Sequence, residues 1–220
     1  RRQRQMCIRD SPDTWDIKAG KEYTASQLLK TANRYRPYWG SEGGITVSGG
    51  EPLLQIDFLL ELFQKAKEMG IHTTLDTSGN PFTTEEPFYS KWKELMKVTD
   101  LVMLDIKHID EEQHKILTGK TGKNILEMAR QMSEMGQPMW IRHVLVPGLT
   151  LRRELLENLA EFLSGFSCVE QVELLPFHKM GEYKWEALNL RSPLSGTREP
   201  TKAEVAAAKK IFQSRGLSIH

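Results

Sequence analysis

Cysteine is scarce: Cys7 and Cys168 are the two in 220 residues. A disulfide framework is therefore not what stabilises this chain, and a reducing cytoplasm is the default setting. Two lone thiols also cannot supply a three- or four-thiolate metal site. An excess of either charge is missing too, with 30 Lys and Arg against 29 Asp and Glu. That removes any bulk electrostatic argument for nucleic acid or an anionic membrane as partner. No apolar run approaches the ~18 residues that would span a bilayer. The opening stretch RRQRQMCIRDS lacks the apolar segment of a signal peptide. The phosphate-binding patterns GxxxxGKS/T and GxGxxG are absent, as is HExxH. Basic residues do not interleave with aromatics as they would along a nucleic-acid groove, and no Ser/His/Asp set has supporting context.

What is present is organised around Ile45–Leu53, ITVSGGEPL. A β-branched run ends in Ser48-Gly49-Gly50-Glu51-Pro52, and an amphipathic pattern opens at Leu53. Adjacent glycines let the backbone turn sharply and let a ligand approach main-chain groups. Such a turn with Glu51 beside it suits a small zwitterionic ligand whose ammonium meets the carboxylate. The alternative is a tight βα turn with a surface glutamate.

Strands are predicted near residues 45, 71, 101, 139 and 169, separated by helical patterns. The first helix spans Thr24 to Tyr35 and ends at Pro37. Leu53–Met69 follows, with Leu54, Phe58, Leu59, Phe63 and Ala66 at helical spacing and Gly70 as the stop. Further helices are expected over Tyr89–Val98, Asn124–Met135, from a Thr150 N-cap to Leu163, and from the Thr201-x-x-Glu204 capping box to Gly216. Alternating strands and helices imply parallel βαβ units, with strands apolar on both faces. Polar residues recur at strand carboxyl ends: Glu51, Asp76, Asp105 with Lys107, and His178. Side chains from successive strands converge most easily at the mouth of a barrel. At 220 residues the chain falls short of the ~250 typical of eight units, so the expected fold is an α/β partial barrel in one domain over 12–220.

Asp105 and Lys107 share a strand face. They form either an internal ion pair or a polar clamp for a ribose or carboxylate. Asp76 is either an Asx-turn residue in DTSG or, with Asp105, part of a cation site. Arg142 interrupts a mostly apolar strand and needs an anionic partner: a ligand, a neighbouring strand's carboxylate, or an acidic loop of a protein substrate. His143 faces the other way and reads as structural. His178 follows an apolar strand at the functional end.

The strings DTWD, ITVSGGEPLLQ, LDTSG, LVMLDIKH, MWIRHVLVPG and VELLPFHKMGEYKW occur in order from about Asp13 to the carboxyl terminus. As a set they resemble the glycyl-radical enzyme activating family, of the pyruvate formate-lyase activating type, in the radical S-adenosylmethionine superfamily. The resemblance implies a partial (β/α)6 TIM-like barrel, a 4Fe–4S cluster and S-adenosylmethionine. It also implies a reaction in which reductive cleavage of the sulfonium gives methionine and a 5′-deoxyadenosyl radical. That radical abstracts a hydrogen from a glycine of the partner, pyruvate formate-lyase or a related glycyl-radical enzyme. An electron donor such as flavodoxin or ferredoxin is implied, with no nucleic-acid or membrane partner. By position, Gly49, Gly50 and Glu51 match the turn that receives the methionine amino group. Asp105, Ile106 and Lys107 match a strand end that contacts the cofactor, and His178 matches a cofactor-contacting histidine. Asp76 and Arg142 are further candidates for cofactor or partner contact.

The family also carries CxxxCxxC just before the DTWD segment, where this chain has Arg2, Met6 and Arg9. Cys7 is one position out of register. The expectation is therefore that 1–11 is an unstructured, non-native leader, and that the first strand and cluster loop are missing. The chain as written should hold no cluster and be inactive. A binding barrel without catalysis, or an activator of a different glycyl-radical enzyme, are the alternatives. An exposed sheet edge at Ile45–Val47 should favour low solubility or edge-paired oligomers.

Overall fold

The computed structural model describes residues 22–40, 43–180, 183, 185 and 189–220. The expected leader over 1–11, the DTWD segment and the positions of Arg2, Met6, Cys7 and Arg9 lie outside the described residues. The strands are β1 (Gly44–Val47), β2 (His72–Thr77), β3 (Leu101–Asp105), β4 (Met139–Leu145) and β5 (Val169–Pro176). All pair in parallel, in the order β1-β2-β3-β4-β5.

That order decides between a doubly wound sheet and a barrel. A doubly wound sheet reverses direction at a switch point, whereas here every crossover steps the same way. Right-handed crossovers then place the connecting helices on one face of the sheet. The result is a curved α/β sheet with a helical outer layer and an inner face lined by the other half of each strand.

The helices are α1 (Ala25–Ala32), α2 (Ile56–Glu68), α3 (Phe88–Lys97), α4 (Glu111–Thr118), α5 (Lys123–Glu134), α6 (Arg153–Ser164) and α7 (Lys202–Gln213). Their apolar stripes meet the outer face in one core, where Leu75, Val102, Leu104, Ile141 and Val172 pack with Phe63, Trp92, Met128, Leu159 and Phe212. Burying these side chains supplies the main stabilisation, about 1.5–3 kcal/mol for each large one.

The strands are not apolar on both faces. In β4 the residues alternate buried and half-buried throughout: Met139, Ile141, His143 and Leu145 face the core, while Trp140, Arg142 and Val144 face inward. In β5, Val172 and Leu174 are buried, and Gln171 and Glu173 take the other face. The described helices cover one side, and that side must be apolar. His143 faces away from Arg142, as its position in the strand predicts.

Helix starts differ more. The expected helix from Leu53 begins as a 3₁₀ turn, Pro52–Gln55, before α2. The tighter turn shifts the phase, so Leu54 is 69 % exposed and Leu53, Ile56 and Leu62 are buried in its stead. The first helix passes into a 3₁₀ segment, Asn33–Tyr38, that contains Pro37. Thr150 is not an N-cap. Its hydroxyl accepts from the Val146 amide at 2.8 Å and donates to the Val144 carbonyl, closing the turn after β4, and α6 starts three residues later. Helix α4 has no counterpart among the expected elements.

The two sheet edges are unlike. Along β5 the carboxyl-terminal residues add backbone bonds, Val172 N–H to the Ser218 carbonyl at 2.8 Å and His220 N–H to the Val172 carbonyl at 3.3 Å. Strand β1 has no partner on its outer side among the described residues. Gly44 is required there, because a Cβ would stand 1.9 Å from the His72 carbonyl oxygen. No described helix is long and apolar enough to cross a membrane.

Candidate active site at the carboxyl mouth of the sheet

Because all five strands are parallel, their carboxyl ends share one rim. The register aligns the inner-face residues in rows. Asp76 pairs with Met103 and Met103 with Trp140; one row further on, Asp105 pairs with Arg142 and Arg142 with Glu173. Glu51 follows β1, Lys107 lies two residues beyond β3, and His178 two beyond β5. The expected convergence on one rim therefore exists at the level of the backbone.

The turn after β1 is held from β2. Gly49 and Gly50 have φ of 93° and 60°, a left-handed conformation that an L side chain adopts only with strain. Among the described residues a Cβ at either would meet no atom within 4 Å. The turn thus faces open space, where a ligand can lie against the main chain. Glu51 does not project into that space with its acceptors free. Its Oε1 accepts from Leu53 N–H at 3.1 Å and Thr77 Oγ1 at 2.5 Å, and its Oε2 from Ser78 N–H at 2.9 Å and Ser78 Oγ at 2.5 Å. Four donors match the lone-pair capacity of a carboxylate. Glu51 ties the glycine turn to the end of β2. Thr77 and Ser78 were not singled out from the sequence. The signal available was a pair of hydroxyl residues ending a strand beside a glycine–glutamate turn.

The second group is ionic and spans three strands. Arg142 Nε donates to Asp105 Oδ1 at 2.8 Å, Nη1 donates to Asp76 Oδ2 at 3.1 Å, and Nη2 also bonds Asp76 Oδ1. Lys107 Nζ donates to Asp105 Oδ2 at 2.7 Å. Two cations and two carboxylates thus form one chain, Asp76–Arg142–Asp105–Lys107. Burial works against the Arg142 charge, but Asp105 and Asp76 outweigh it and hold the guanidinium pKa above its ordinary value. Of the three partners open to Arg142 from sequence, carboxylates of neighbouring strands are the ones in place. Asp105 with Lys107 is an ion pair, half-buried and facing the mouth.

His178 stands on the same rim but in no such network. Its side chain is exposed and makes no hydrogen bond to another described residue. Ile106 is buried; its N–H donates to the Arg142 carbonyl at 3.0 Å, and its carbonyl lies 2.8 Å from His143 Nδ1.

The donor set suits S-adenosylmethionine. An open glycine turn is available to an ammonium and carboxylate, and the Asp105–Lys107 pair offers both an acceptor and a donor to hydroxyls. Among the described residues no group of Cys, His, Asp and Glu is placed to hold a metal ion. Cys168 immediately precedes β5, so it lies at the opposite end of the sheet from Glu51. Burial pushes its thiol pKa up, with Ser133 hydrogen-bonded to it. Cys7 lies outside the described residues.

Residues 5–163 match the family model of the Radical SAM superfamily. The pyruvate formate-lyase-activating enzyme of Streptococcus mutans is 50% identical over 206 residues, covering 93% of this chain and 78% of that protein. The enzyme of the same name from Listeria monocytogenes is 46% identical over 211 residues, covering 96% and 84%. Among solved structures, a domain of pyruvate-formate lyase-activating enzyme from Bacteroides vulgatus superposes with a TM-score of 0.66 at 25% identity, over 81% of this chain and 98% of that one. A radical SAM methyltransferase from Sphaerobacter thermophilus, at 21% identity, shares the fold with a TM-score of 0.61 over 90% of this chain and 57% of that one. With half of 206 aligned residues identical to one such enzyme and its five strands all parallel in sequential order, the chain belongs to the pyruvate formate-lyase-activating enzyme family of the radical S-adenosylmethionine superfamily.

Proposed function

We propose that this chain binds S-adenosylmethionine at the carboxyl mouth of its sheet and serves pyruvate formate-lyase as its activating partner. One observation carries the reading: an open Gly49–Gly50 turn and the Asp105–Lys107 pair share a rim, in a chain close in sequence to activating enzymes. Family members use a cluster to cleave the sulfonium reductively, and the resulting 5′-deoxyadenosyl radical abstracts hydrogen from a partner glycine. The residues of this chain supply binding and orientation. The Gly49–Gly50 main chain receives the methionine end, and Glu51 keeps that turn in place by holding β2. Asp105 and Lys107 meet the ribose or carboxylate, with Ile106 fixing their backbone. His178 contacts the nucleoside from beyond β5. Asp76 and Arg142 hold the charge balance behind them. A cytoplasmic setting and an electron donor of the flavodoxin or ferredoxin type belong to the same reading.

Isothermal titration with S-adenosylmethionine tests it. One-to-one binding is expected, lost in Gly50→Val, whose φ of 60° a β-branched residue resists; a wild-type chain that takes up no ligand would overturn the reading.

The cysteine count favours a second reading for the chain as written, a barrel that binds nucleoside or partner without catalysis. Anaerobic reconstitution with iron and sulfide distinguishes the two. No iron–sulfur absorbance is expected from Cys7 and Cys168 alone; a stable cluster signal would restore full catalysis to the first reading. Activity toward another glycyl-radical enzyme is tested by replacing pyruvate formate-lyase in a pull-down.

A further inference from the structure

His143 is a core residue by every ordinary measure. It is 4 % exposed, faces the helices, and shares no side-chain contact with the ionic chain at the mouth. Yet its Nδ1 lies 2.8 Å from the carbonyl of Ile106, the residue between Asp105 and Lys107. A carbonyl only accepts, so Nδ1 carries the proton. β3 ends at Asp105, and the strand ladder stops there. Beyond it, Ile106 N–H still reaches the Arg142 carbonyl at 3.0 Å, and the His143 ring takes the next backbone group. The two bonds run from adjacent residues of β4, so the peptide units on both sides of Ile106 are tied to one strand. The direction in which Lys107 leaves the sheet is set by that tie.

We propose that His143 is a positioning residue: by donating from Nδ1 to the Ile106 carbonyl, it fixes the backbone that aims Asp105 and Lys107 into the mouth. The inference rests on the reading of that mouth as a sulfonium-nucleoside site and adds a residue that touches no ligand. Burial keeps the ring neutral: its pKa is pushed down to about 4, with His108 and Lys107 lowering it further and the Ile106 bond opposing. A neutral ring with a single N–H can point that proton at one acceptor, and the core around it leaves no water to compete.

Three proteins are compared by titration with S-adenosylmethionine, with thermal unfolding measured in parallel. His143→Leu keeps the volume and removes the donor. It is expected to weaken binding roughly tenfold, the size of one buried hydrogen bond. His143→Asn carries an amide N–H near the position of Nδ1 and is expected to recover most of that loss, although it fills the core less well than leucine. A purely structural role predicts the reverse order, with affinity following melting temperature. His143→Leu binding like wild type would overturn the inference while leaving the site reading intact; wild type failing to bind would defeat both. Should His143→Leu not fold, nitrogen-15 correlation spectra of the wild-type imidazole decide: a proton on Nε2 with bare Nδ1 would overturn the inference, and a proton on Nδ1 supports it.

Discussion

Arg142 carries the charge balance of the mouth, and its removal should be felt chiefly through what it leaves behind. In Arg142→Met, Asp76 and Asp105 keep their half-buried places with Lys107 as the remaining cation. Unfolding in urea at neutral pH is expected to show a loss of about 2 kcal/mol, less than for a fully buried pair because solvent reaches the site. His143 gives a pH dependence of its own. Its folded pKa of about 4 lies below the ordinary value of 6.5, so below 6.5 the unfolded chain binds a proton that the folded chain refuses. Stability is therefore complete above pH 6.5 and lost as pH falls toward 4, by up to about 3 kcal/mol. His108, lowered mainly by burial with Asp110 opposing, acts with the same sign. Urea titrations at neutral and mildly acidic pH, on wild type and His143→Phe, check this; the variant should show a shallower decline. At this scale the sequence was informative about which residues matter and less so about what they touch. Arg142 in an apolar strand announces a buried charge, but its anion comes from strands 66 and 37 residues away in the chain. Glu51 likewise finds its donors at Thr77 and Ser78 across a strand pairing that no local pattern encodes.

Helix α4 shows how an element escapes periodicity. Its eight residues, EEQHKILT, bury only His114 and Thr118, so no apolar stripe marks them. Its ends carry the signals. Asp110 accepts from the Gln113 amide at 2.8 Å, and Gly119 closes the helix at φ 73°, an N-cap and a left-handed stop. The carboxylate of Glu111 then reaches forward to Gly122 N–H at 2.8 Å and Thr121 Oγ1 at 2.8 Å, fixing the next helix, α5. Asp110→Ala should cost about 1 kcal/mol, and hydrogen exchange should localise it, with α4 amides losing protection before those of α5. Thr150 departs from its expected role as an N-cap for a related reason. A threonine ahead of a polar–apolar pattern reads as a cap, yet its hydroxyl is consumed by the β4 turn. Long amphipathic helices such as α2 and α5 were legible because their stripes repeat; short elements held by caps were not.

At the scale of the whole molecule, five strands separated by helices could be counted from sequence, but their order could not. Order depends on which strands pair across intervals of 25 residues or more, and nothing local distinguishes a switch point from a steady march. The notion that both strand faces are apolar failed because it assumed a second helical layer. The unequal edges have a measurable outcome. Ser218 to His220 occupy the β5 side, while β1 offers its outer backbone among the described residues, and a bare edge invites pairing with another copy. Light scattering should show mass rising with concentration, and Thr46→Lys, a charge on an exposed edge position, should suppress it; a monomer at every concentration would count against edge pairing. The guanidinium shared between Asp76 and Asp105 has one more implication. It makes the tips of β2 and β3 mechanically dependent, so a guest that draws Lys107 off Asp105 also tugs, through Arg142, at the tip whose next residues hold Glu51. Occupancy on one flank of the mouth would thereby be felt at the other through Arg142 alone.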